Sequence, residues 1–506
     1  MPRRKKPKVV MGLNTLDLGI IAAYMAGVTL FGLRFRGGQQ TLKGYFLADN
    51  AIPWWAISLS IVAAETSTLT VISVPGLAYD GNFSFLQLIF GYVIGRVLVS
   101  FLFIPHYFRG NLVTAYQLME RRFGERLRTF TAGMFLVTRA AAEGVRVFAV
   151  AIVVRIALAG FLTGMSNFQR DLAAIAVVTA LTLVYTFEGG LRAAIWTDVL
   201  QQTIYVTGTI IALFTILHLV PGGWSAVREV AGSAGKFRIL DLSWNPTTKY
   251  TLWSGLIGGT FLTMASHGTD QLIVQRLLSA RSERESKTAL IMSGVAILGQ
   301  FSLFLLIGAV LFAYYRSFPP ATAFTRSDTV FPEFIVAHMP HGVSGLLIAA
   351  ILAAAMSNLS AALNSLSSTT IVDFYARLRP QSSDQRRMQL SRFAMVAWGA
   401  ILFALALIAR HGGRVIEVGL SIASVAYGAL LGAFLLGVLT RGASERGALV
   451  GMVCGLALNL YLWLFTQVSF TWYVVLGSIV TFVVGYAASV PGQRPGPASL
   501  RNEHEA

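Results

Sequence analysis

Apolar stretches of about 20 residues follow one another along the whole chain, and they constrain the fold more than any other feature. Each is long enough to cross roughly 30 Å of hydrocarbon as an α-helix. We count thirteen, near 12–32, 53–77, 83–104, 129–160, 172–187, 196–220, 252–274, 288–314, 343–373, 391–409, 415–439, 446–466 and 470–490. None alternates polar and apolar residues as a membrane β-barrel strand does. The sequence therefore predicts an all-α polytopic membrane protein with about 13 transmembrane helices.

Composition excludes several other classes of protein. Only 12% of the 506 residues are charged, against about a quarter in a soluble domain, so a soluble multidomain enzyme is excluded. The single cysteine, Cys454, excludes a disulfide framework and a cysteine-based metal cluster. The formal charge of +17 would suggest nucleic acid in a soluble protein, but here it records which loops stay in the cytoplasm. We expect the lipid bilayer as a partner, no nucleic acid and no obligate protein partner.

Loop charges predict the orientation in the plasma membrane. If the first helix runs from outside to inside, the cytoplasmic segments carry more than twice as many Lys and Arg residues as the opposite loops. That asymmetry places the C-terminus, with a tail at 491–506, in the cytoplasm. The basic tail 1–11 would then lie outside, against the rule. Either the tail is translocated or the natural start is Met11, and we favour the second interpretation. Residues 12–490 are predicted to form a single transmembrane domain.

Polar residues at membrane depth indicate function, because each costs free energy unless it is paired or hydrated. The second span contains Glu65 followed by hydroxyl side chains from Thr66 to Thr70. These are hard oxygens of the type that binds an alkali cation, or else a cluster that packs helices together. The ninth span places Ser357 and Asn358 in an otherwise apolar turn. Together with the Thr66 region they can complete an oxygen cage for a cation.

Two further spans carry polar groups in their middle. In the seventh span, small and polar residues occupy 266–271, after a pair of glycines at 258–259. This pattern predicts a broken helix that faces a cavity. His267 there is either a hydrogen-bonded structural residue or a substrate contact; it has no second ligand at helical spacing, which excludes zinc. In the fourth, Arg139, Glu143 and Arg146 share one face. They form either a ladder of ion pairs or a counter-charge for an anionic or zwitterionic substrate. Arg96 on the third span is expected to face Glu143 or a neighbouring helix.

Absent motifs also narrow the function. The sequence has no G-x-x-x-x-G-K-[ST] loop to hold ATP. It has no Ser-His-Asp spacing, H-E-x-x-H or CxxC that would suggest a membrane-embedded hydrolase. We therefore predict that the protein is not an enzyme.

The spans also divide into two similar groups. Helices two to six, about 53–220, and seven to eleven, about 252–439, each number five and each open with an interrupted helix. This arrangement is typical of the inverted repeats of secondary transporters. The sequence therefore predicts a five-plus-five inverted-repeat transporter core.

Short sequence motifs along the whole chain resemble those of a known family. They are 44–48 (GYFLA) with 53–55 (PWW), 74–79 (VPGLAY), 188–193 (EGGLRA) with 196–198 (WTD), 268–271 (GTDQ) leading to 274–276 (VQR), and 345–350 (GLLIAA). The chain resembles the sodium:solute symporter family, which includes sodium-coupled sugar, proline, sialic acid, monocarboxylate and iodide carriers.

The resemblance implies Na⁺ as the coupling ion and names its sites. The principal sodium site falls on two carbonyls of the first core helix and on a carbonyl and two side chains of the eighth: Ala63, Thr66, Ala354, Ser357 and Asn358. Asn358 departs from the family, which usually has Ser or Thr there. A possible second sodium site falls on Asp198, Ser357 and Ser360.

Together these features predict sodium-coupled symport of a small organic solute into the cell by alternating access. A carboxylate or amino-acid-like solute is favoured over a sugar, because arginines lie near the midplane. The pocket is expected to be lined by Thr68, Leu69, Gln87, Arg139, Glu143, His267 and Tyr427. The alternatives are a proton-coupled symporter that uses Glu65, or uptake of a sugar or sugar acid.

Overall fold

The computed structural model describes residues 13–33, 48–109, 115–160, 164–185, 191–320 and 322–489. The helices of the first half are α1 (Thr15–Leu33), α2 (Trp54–Glu65), α3 (Thr68–Asp80), α4 (Leu86–Leu102), α5 (Ile104–Arg109), α6 (Ala115–Phe123), α7 (Glu125–Ala157), α8 (Asn167–Tyr185) and α9 (Leu191–Leu219). Those of the second half are α10 (Gly223–Ser233), α11 (Gly259–Gly268), α12 (Gln271–Leu278), α13 (Glu283–Ser317), α14 (Val330–His338), α15 (Val343–Thr369), α16 (Asp384–Ala409), α17 (Val415–Leu439), α18 (Glu445–Phe465) and α19 (Tyr473–Ala487). The predicted tails 1–11 and 491–506, and the motif positions 44–47 and 188–190, lie outside the described residues.

The all-α architecture is confirmed, and each of the thirteen predicted spans coincides with a helix or a pair of helices. Among the described residues, eight helices are long and apolar enough to cross a membrane, or nine if the bent pair α2–α3 counts as one span. The other predicted spans are the short apolar α1, the charged α7, α8, and the broken pair α11–α12. Within the same ranges the backbone forms no β-strand, only an isolated bridge between Ile52 and Ala280.

Two of the predicted spans are broken in the middle. The axes of α2 and α3 meet at 67°, because Thr66 and Ser67 between them leave the helical conformation. The pair α11–α12 breaks at Thr269 and Asp270. Each break contains a residue whose side chain competes with the helical hydrogen bonds, Ser67 in the first and Asp270 in the second, and such residues favour turns over continued helix. The predicted interruption of both spans is therefore confirmed.

The helices pack into two groups. The first, which we call the bundle, consists of α2–α3, α4, α11–α12 and α13, which pack against one another. The second, which we call the frame, consists of α7, α8, α15 and α16. Helices α9 and α17 contact both groups, α1 lies on α15 and α9, and α18 and α19 pack on α17. We call the end where α2 begins the Trp54 face, and the end where α3 finishes the Asp80 face.

Glycines allow the bundle helices to approach closely. A Cβ at Gly91 of α4 would lie 2.2 Å from the carbonyl oxygen of Gly255, just before α11. A Cβ at Gly308 of α13 would lie 2.1 Å from the carbonyl oxygen of Pro75 in α3. Backbone contact of this kind is how helices associate in a lipid environment, where dispersion forces replace the hydrophobic effect. The bundle is therefore tightly packed around the two breaks.

Candidate functional site

A cavity of about 200 Å³ lies between the bundle, α7 and α17, at the level of both breaks. Its wall is mainly apolar, with a small number of polar and charged side chains. This is the usual composition of a small-molecule site. The charged and polar groups that matter most are Glu65, Arg139, Arg146, His267, Asp270 and Tyr427.

The wall formed by α7 carries a ladder of ion pairs. Glu143 is buried, and its Oε1 lies 3.1 Å from Arg139 Nε and 2.9 Å from Arg146 Nη1. The predicted ladder is therefore confirmed. Arg139 and Arg146 line the cavity, so the three side chains together present one net positive charge to it.

The cavity is also lined by a carboxylate on α12 that we did not assign to the site from the sequence. Asp270 caps the first turn of α12, where its Oδ1 accepts a hydrogen bond from Leu272 N (2.9 Å). Its Oδ2 accepts one from the Tyr427 hydroxyl of α17 (3.1 Å). The signal was available, because an aspartate at the end of an interrupted helix is well placed to face a cavity. Tyr427 was predicted to line the pocket, and it does so.

Arg96 of α4 is fully buried at the base of the cavity. Its partner lies on a neighbouring helix, as expected, and is Glu65 of α2. Arg96 also donates to Ser293 Oγ (3.1 Å) and lies 3.2 Å from His267 Nε2. His267 in turn contacts Ser266 Oγ through Nδ1 (2.8 Å). His267 thus lines the cavity and belongs to a hydrogen-bonded cluster at the same time.

The break between α2 and α3 releases several carbonyl oxygens from the helical hydrogen-bond pattern. Ser67 N donates to Glu65 O (3.0 Å), whereas a continuous helix would pair it with Ala63 O. Thr70 N donates to Ser67 O (2.9 Å), which leaves the carbonyl of Thr66 without that partner. Two of the released oxygens belong to Ala63 and Thr66, the residues that the family resemblance names. Their role as sodium ligands stays a prediction.

The side chains expected from α15 lie near this break. Asn358 borders a very small cavity together with Ser67, Thr68, Leu69 and Glu143. Thr68 Oγ1 is buried there and has no hydrogen-bond partner among the residues that the structure describes. The structure therefore brings Asn358 next to the turn, with Ala354, Ser357 and Ser360 on the same helix. Leu69 lines the large cavity as well as the small one.

Asp198, expected at a second sodium site, is held by other side chains. Its Oδ2 accepts hydrogen bonds from Ser60 Oγ (2.6 Å) and Arg276 Nη2 (2.9 Å). Helices α9 and α15 run antiparallel, since the Tyr205 hydroxyl donates to Ala350 O (3.1 Å) and Gly208, three residues later on α9, packs against Leu347, three residues earlier on α15. Counting along both helices from that contact puts Asp198 level with Ser357. Its carboxylate thus lies at the level of the expected site but is already paired with Arg276.

Gln87 lies beside the cavity and supports its Asp80 end. Its side chain donates to Tyr250 O (3.0 Å) and accepts from Asp241 N (3.0 Å). Tyr250 packs edge-on against Phe85, which lines the cavity. Gln87 therefore holds the segment that carries Asp241 and Tyr250 against α4, and its side chain is not among those that line the cavity.

The segment between α13 and α15 also stabilises the Asp80 face. Asp328 is buried, and it accepts hydrogen bonds from Ser73 Oγ of α3 (2.6 Å) and from Val415 N (3.3 Å). Burial raises the pKa of the Asp328 carboxyl, although Ser73 and Arg326 oppose that shift. Close by, Arg414 forms an ion pair with Asp80 (2.9 Å). These contacts join α3 to the start of α17 across the Asp80 face.

Comparison with known proteins gives one consistent result. A family model described as the sodium:solute symporter family matches residues 45–455. The sodium/sialic acid symporter NanT of Aliivibrio fischeri is 29% identical over 94% of this chain and 92% of its own length. Sodium-coupled monocarboxylate transporter 2 of Mus musculus is 27% identical over 86% of this chain and 70% of its own. A structure of a Na⁺-coupled sialic acid symporter, substrate-bound and outward-open, matches with a TM-score of 0.79 at 28% identity, over 94% of this chain and 98% of that chain.

Proposed function

Because this chain belongs to the sodium:solute symporter family, we propose that it carries a carboxylate-bearing solute into the cell together with sodium. The chain is a multi-pass membrane transporter and not an enzyme. Sodium is its coupling ion, and its other cargo is a small solute. The identity of that solute, the ligands of the sodium ion and the direction of transport are the parts we propose.

The charges on the cavity wall carry the proposal of a carboxylate. Glu143 neutralises one of the two arginines of α7 that line the cavity, so one positive charge on that wall remains for a ligand. Asp270 on α12 accepts a hydrogen bond from Tyr427 and still has acceptor capacity for a donor on the solute. A solute with a carboxylate at one end and hydroxyl, amide or amine donors at the other fits this arrangement. Sialic acid has both kinds of group and is our first candidate.

The oxygens at the α2–α3 break are proposed to hold sodium. The carbonyls of Ala63 and Thr66 are released from their helical partners, and neutral oxygens of this kind suit an alkali cation at a helix break. Ala354, Ser357 and Asn358 would complete the shell from α15. A second ion at Asp198 and Ser360 would require Arg276 to leave the Asp198 carboxylate. We propose that Thr68, Leu69, Gln87 and His267 support the solute site.

Membrane orientation follows from loop charge. We propose that the Trp54 face is cytoplasmic and that the C-terminus lies there, because the segments at this face carry most of the lysines and arginines. The two groups of five spans are proposed to be inverted repeats. Transport would then proceed by rocking of the bundle against the frame around the cavity.

No observation favours proton coupling through Glu65. The relatives are sodium-coupled, and Glu65 forms an ion pair with the buried Arg96. The carboxylate therefore has a fixed counter-ion within the protein.

Uptake into proteoliposomes tests the proposal. The purified protein would be given an inward gradient of Na⁺ or, as a matched control, of choline, with radiolabelled sialic acid. Lactate, proline and galactose would serve as competitors. We expect uptake only with Na⁺ and competition by carboxylates but not by galactose. Equal uptake with choline would contradict sodium coupling, and competition by galactose but not by lactate or proline would contradict the carboxylate.

A further inference from the structure

One guanidinium joins all four parts of the bundle. Arg96 of α4 contacts Glu65 of α2, Ser293 of α13 and His267 of α11. It also donates to its own helix at Tyr92 O (3.2 Å). These contacts use the donors that the planar guanidinium presents in fixed directions.

The surroundings of Arg96 leave it no access to solvent. The side chain is 0% exposed, and Gly294 of α13 provides room for it, since a Cβ there would approach Arg96 Cδ to 3.1 Å. A buried cation is tolerated only with a partner and hydrogen bonds. Glu65 supplies the opposite charge, and its side chain reaches both the cavity and Arg96.

The two groups next to Arg96 immediately precede the two breaks. Glu65 is the last residue of α2, before the turn at Thr66. His267 is the next-to-last residue of α11, which ends at Gly268 just before the break at Thr269. Both side chains line the cavity. Arg96 therefore fixes the ends of two broken helices relative to each other, one at the proposed sodium turn and the other at the solute cavity.

We propose that Arg96 is a positioning residue that couples sodium binding to solute binding. Its contacts with Glu65 and His267 transmit the geometry of the α2–α3 turn to the cavity wall on α11, so an ion bound at the turn changes the site seen by the solute. This inference rests on the proposed function, because it presumes that sodium binds at the turn. Coupling of this kind typically changes affinity by about 5- to 150-fold, and it is reciprocal.

A cysteine reporter tests Arg96 with sodium itself as the probe. Cys454 is the only cysteine, so Cys454→Ser with Leu430→Cys leaves one thiol in the cavity wall. The rate of maleimide labelling would be measured in nanodiscs in NaCl and in choline chloride, with and without sialic acid. In this background we expect Na⁺ to change the labelling rate, and sialic acid to lower the Na⁺ concentration that half-saturates the change by about fivefold or more.

Adding Arg96→Met together with Glu65→Gln removes both charges and keeps the pair's volume. Such neutral replacements of a buried pair usually fold, so we expect a melting temperature near that of the background in choline and no sodium response. Arg96→Lys is a second variant: it keeps the charge but cannot reach three helices with one nitrogen, so its response should be reduced. The control is Arg155→Met with Asp171→Asn, a pair 3.1 Å apart in the frame, which should respond as the background does.

The outcomes distinguish a failure of the coupling role of Arg96 from a failure of the proposed function. If the background responds to Na⁺ and the Arg96 variants respond equally well, the coupling role of Arg96 is wrong and the proposed function stands. If the background itself labels equally in Na⁺ and choline, sodium binding at the turn is wrong, and the inference falls with it. Loss of response in the Arg96 variants but not in the frame control supports the proposal.

Discussion

Replacing Arg139 by Gln tests the carboxylate site with little risk to folding. Glu143 would keep Arg146 at 2.9 Å, so the buried carboxylate would not be left without a cation. The solute, by contrast, would lose its charged partner. A hydrogen bond to a charged group contributes about 1.5–3 kcal/mol, which corresponds to roughly 10- to 150-fold in KM, since about 1.4 kcal/mol is tenfold. The Na⁺ dependence at saturating solute should be unchanged, because Arg139 is not among the proposed sodium ligands.

The assay is initial uptake of sialic acid into proteoliposomes at fixed, saturating Na⁺. Arg155→Gln is the matched control, since Arg155 lies on the same helix, pairs with Asp171 and does not line the cavity. Arg139→Lys should fall between the two, because it keeps the charge without the planar fork. A variant Arg139→Gln with the KM of the control would refute the assignment of Arg139 to the carboxylate.

Four further outcomes are expected. Ser357→Ala should raise the Na⁺ concentration for half-maximal uptake by about tenfold, the effect of losing about 1.4 kcal/mol; an unchanged sodium titration would contradict its role as a ligand. Gln300→Leu should raise that concentration too and leave the solute KM at saturating Na⁺ unaltered, because Gln300 accepts the Thr66 hydroxyl hydrogen bond (3.2 Å); a change in solute KM alone would be the contrary result. Gly308→Ala should lower the melting temperature, since its Cβ would meet Pro75 O at 2.1 Å and overpacking costs about 1–3 kcal/mol. Asp328→Asn should raise the melting temperature more at pH 7 than at pH 4. Because the pKa of Asp328 is raised in the folded protein, the stability that its protonated form contributes is fully present below the ordinary aspartate pKa and is lost as the pH rises through the folded value. An equal shift of the melting temperature at both pH values would contradict this prediction.

The helices and their interruptions could be predicted from local sequence. Long apolar runs determine the spans, because a chain in lipid satisfies its backbone hydrogen-bonding groups by forming a helix. Small polar residues at 66–67 and 268–270 marked the breaks, and both are present. The ladder on α7 was predictable too, because residues three and four apart on a helix share a face.

Pairings between distant helices could not be read from the sequence. Arg96 and Glu65 are 31 positions apart, and Arg276 and Asp198 are 78 apart. Helical spacing says nothing about which faces of two separate spans meet. Asp198 therefore looked available for sodium, and the arginine that holds it was visible only once the helices were packed. Gln87 was predicted to line the pocket for a similar reason. Its partner Asp241 lies in a connecting segment without periodicity, so the sequence did not reveal their contact.

The turn between α2 and α3 has an electrostatic consequence of its own. A helix carries about half a negative charge at its C-terminal end and about half a positive charge at its N-terminal end. Here the C-terminus of α2 and the N-terminus of α3 meet, and Ser67 at the start of α3 makes no capping hydrogen bond with its side chain. One short turn thus presents a dipole end attractive to a cation next to one attractive to an anion. A metal ion and a carboxylate bound on either side of it would each neutralise the field felt by the other, so that filling one place makes the other easier to fill.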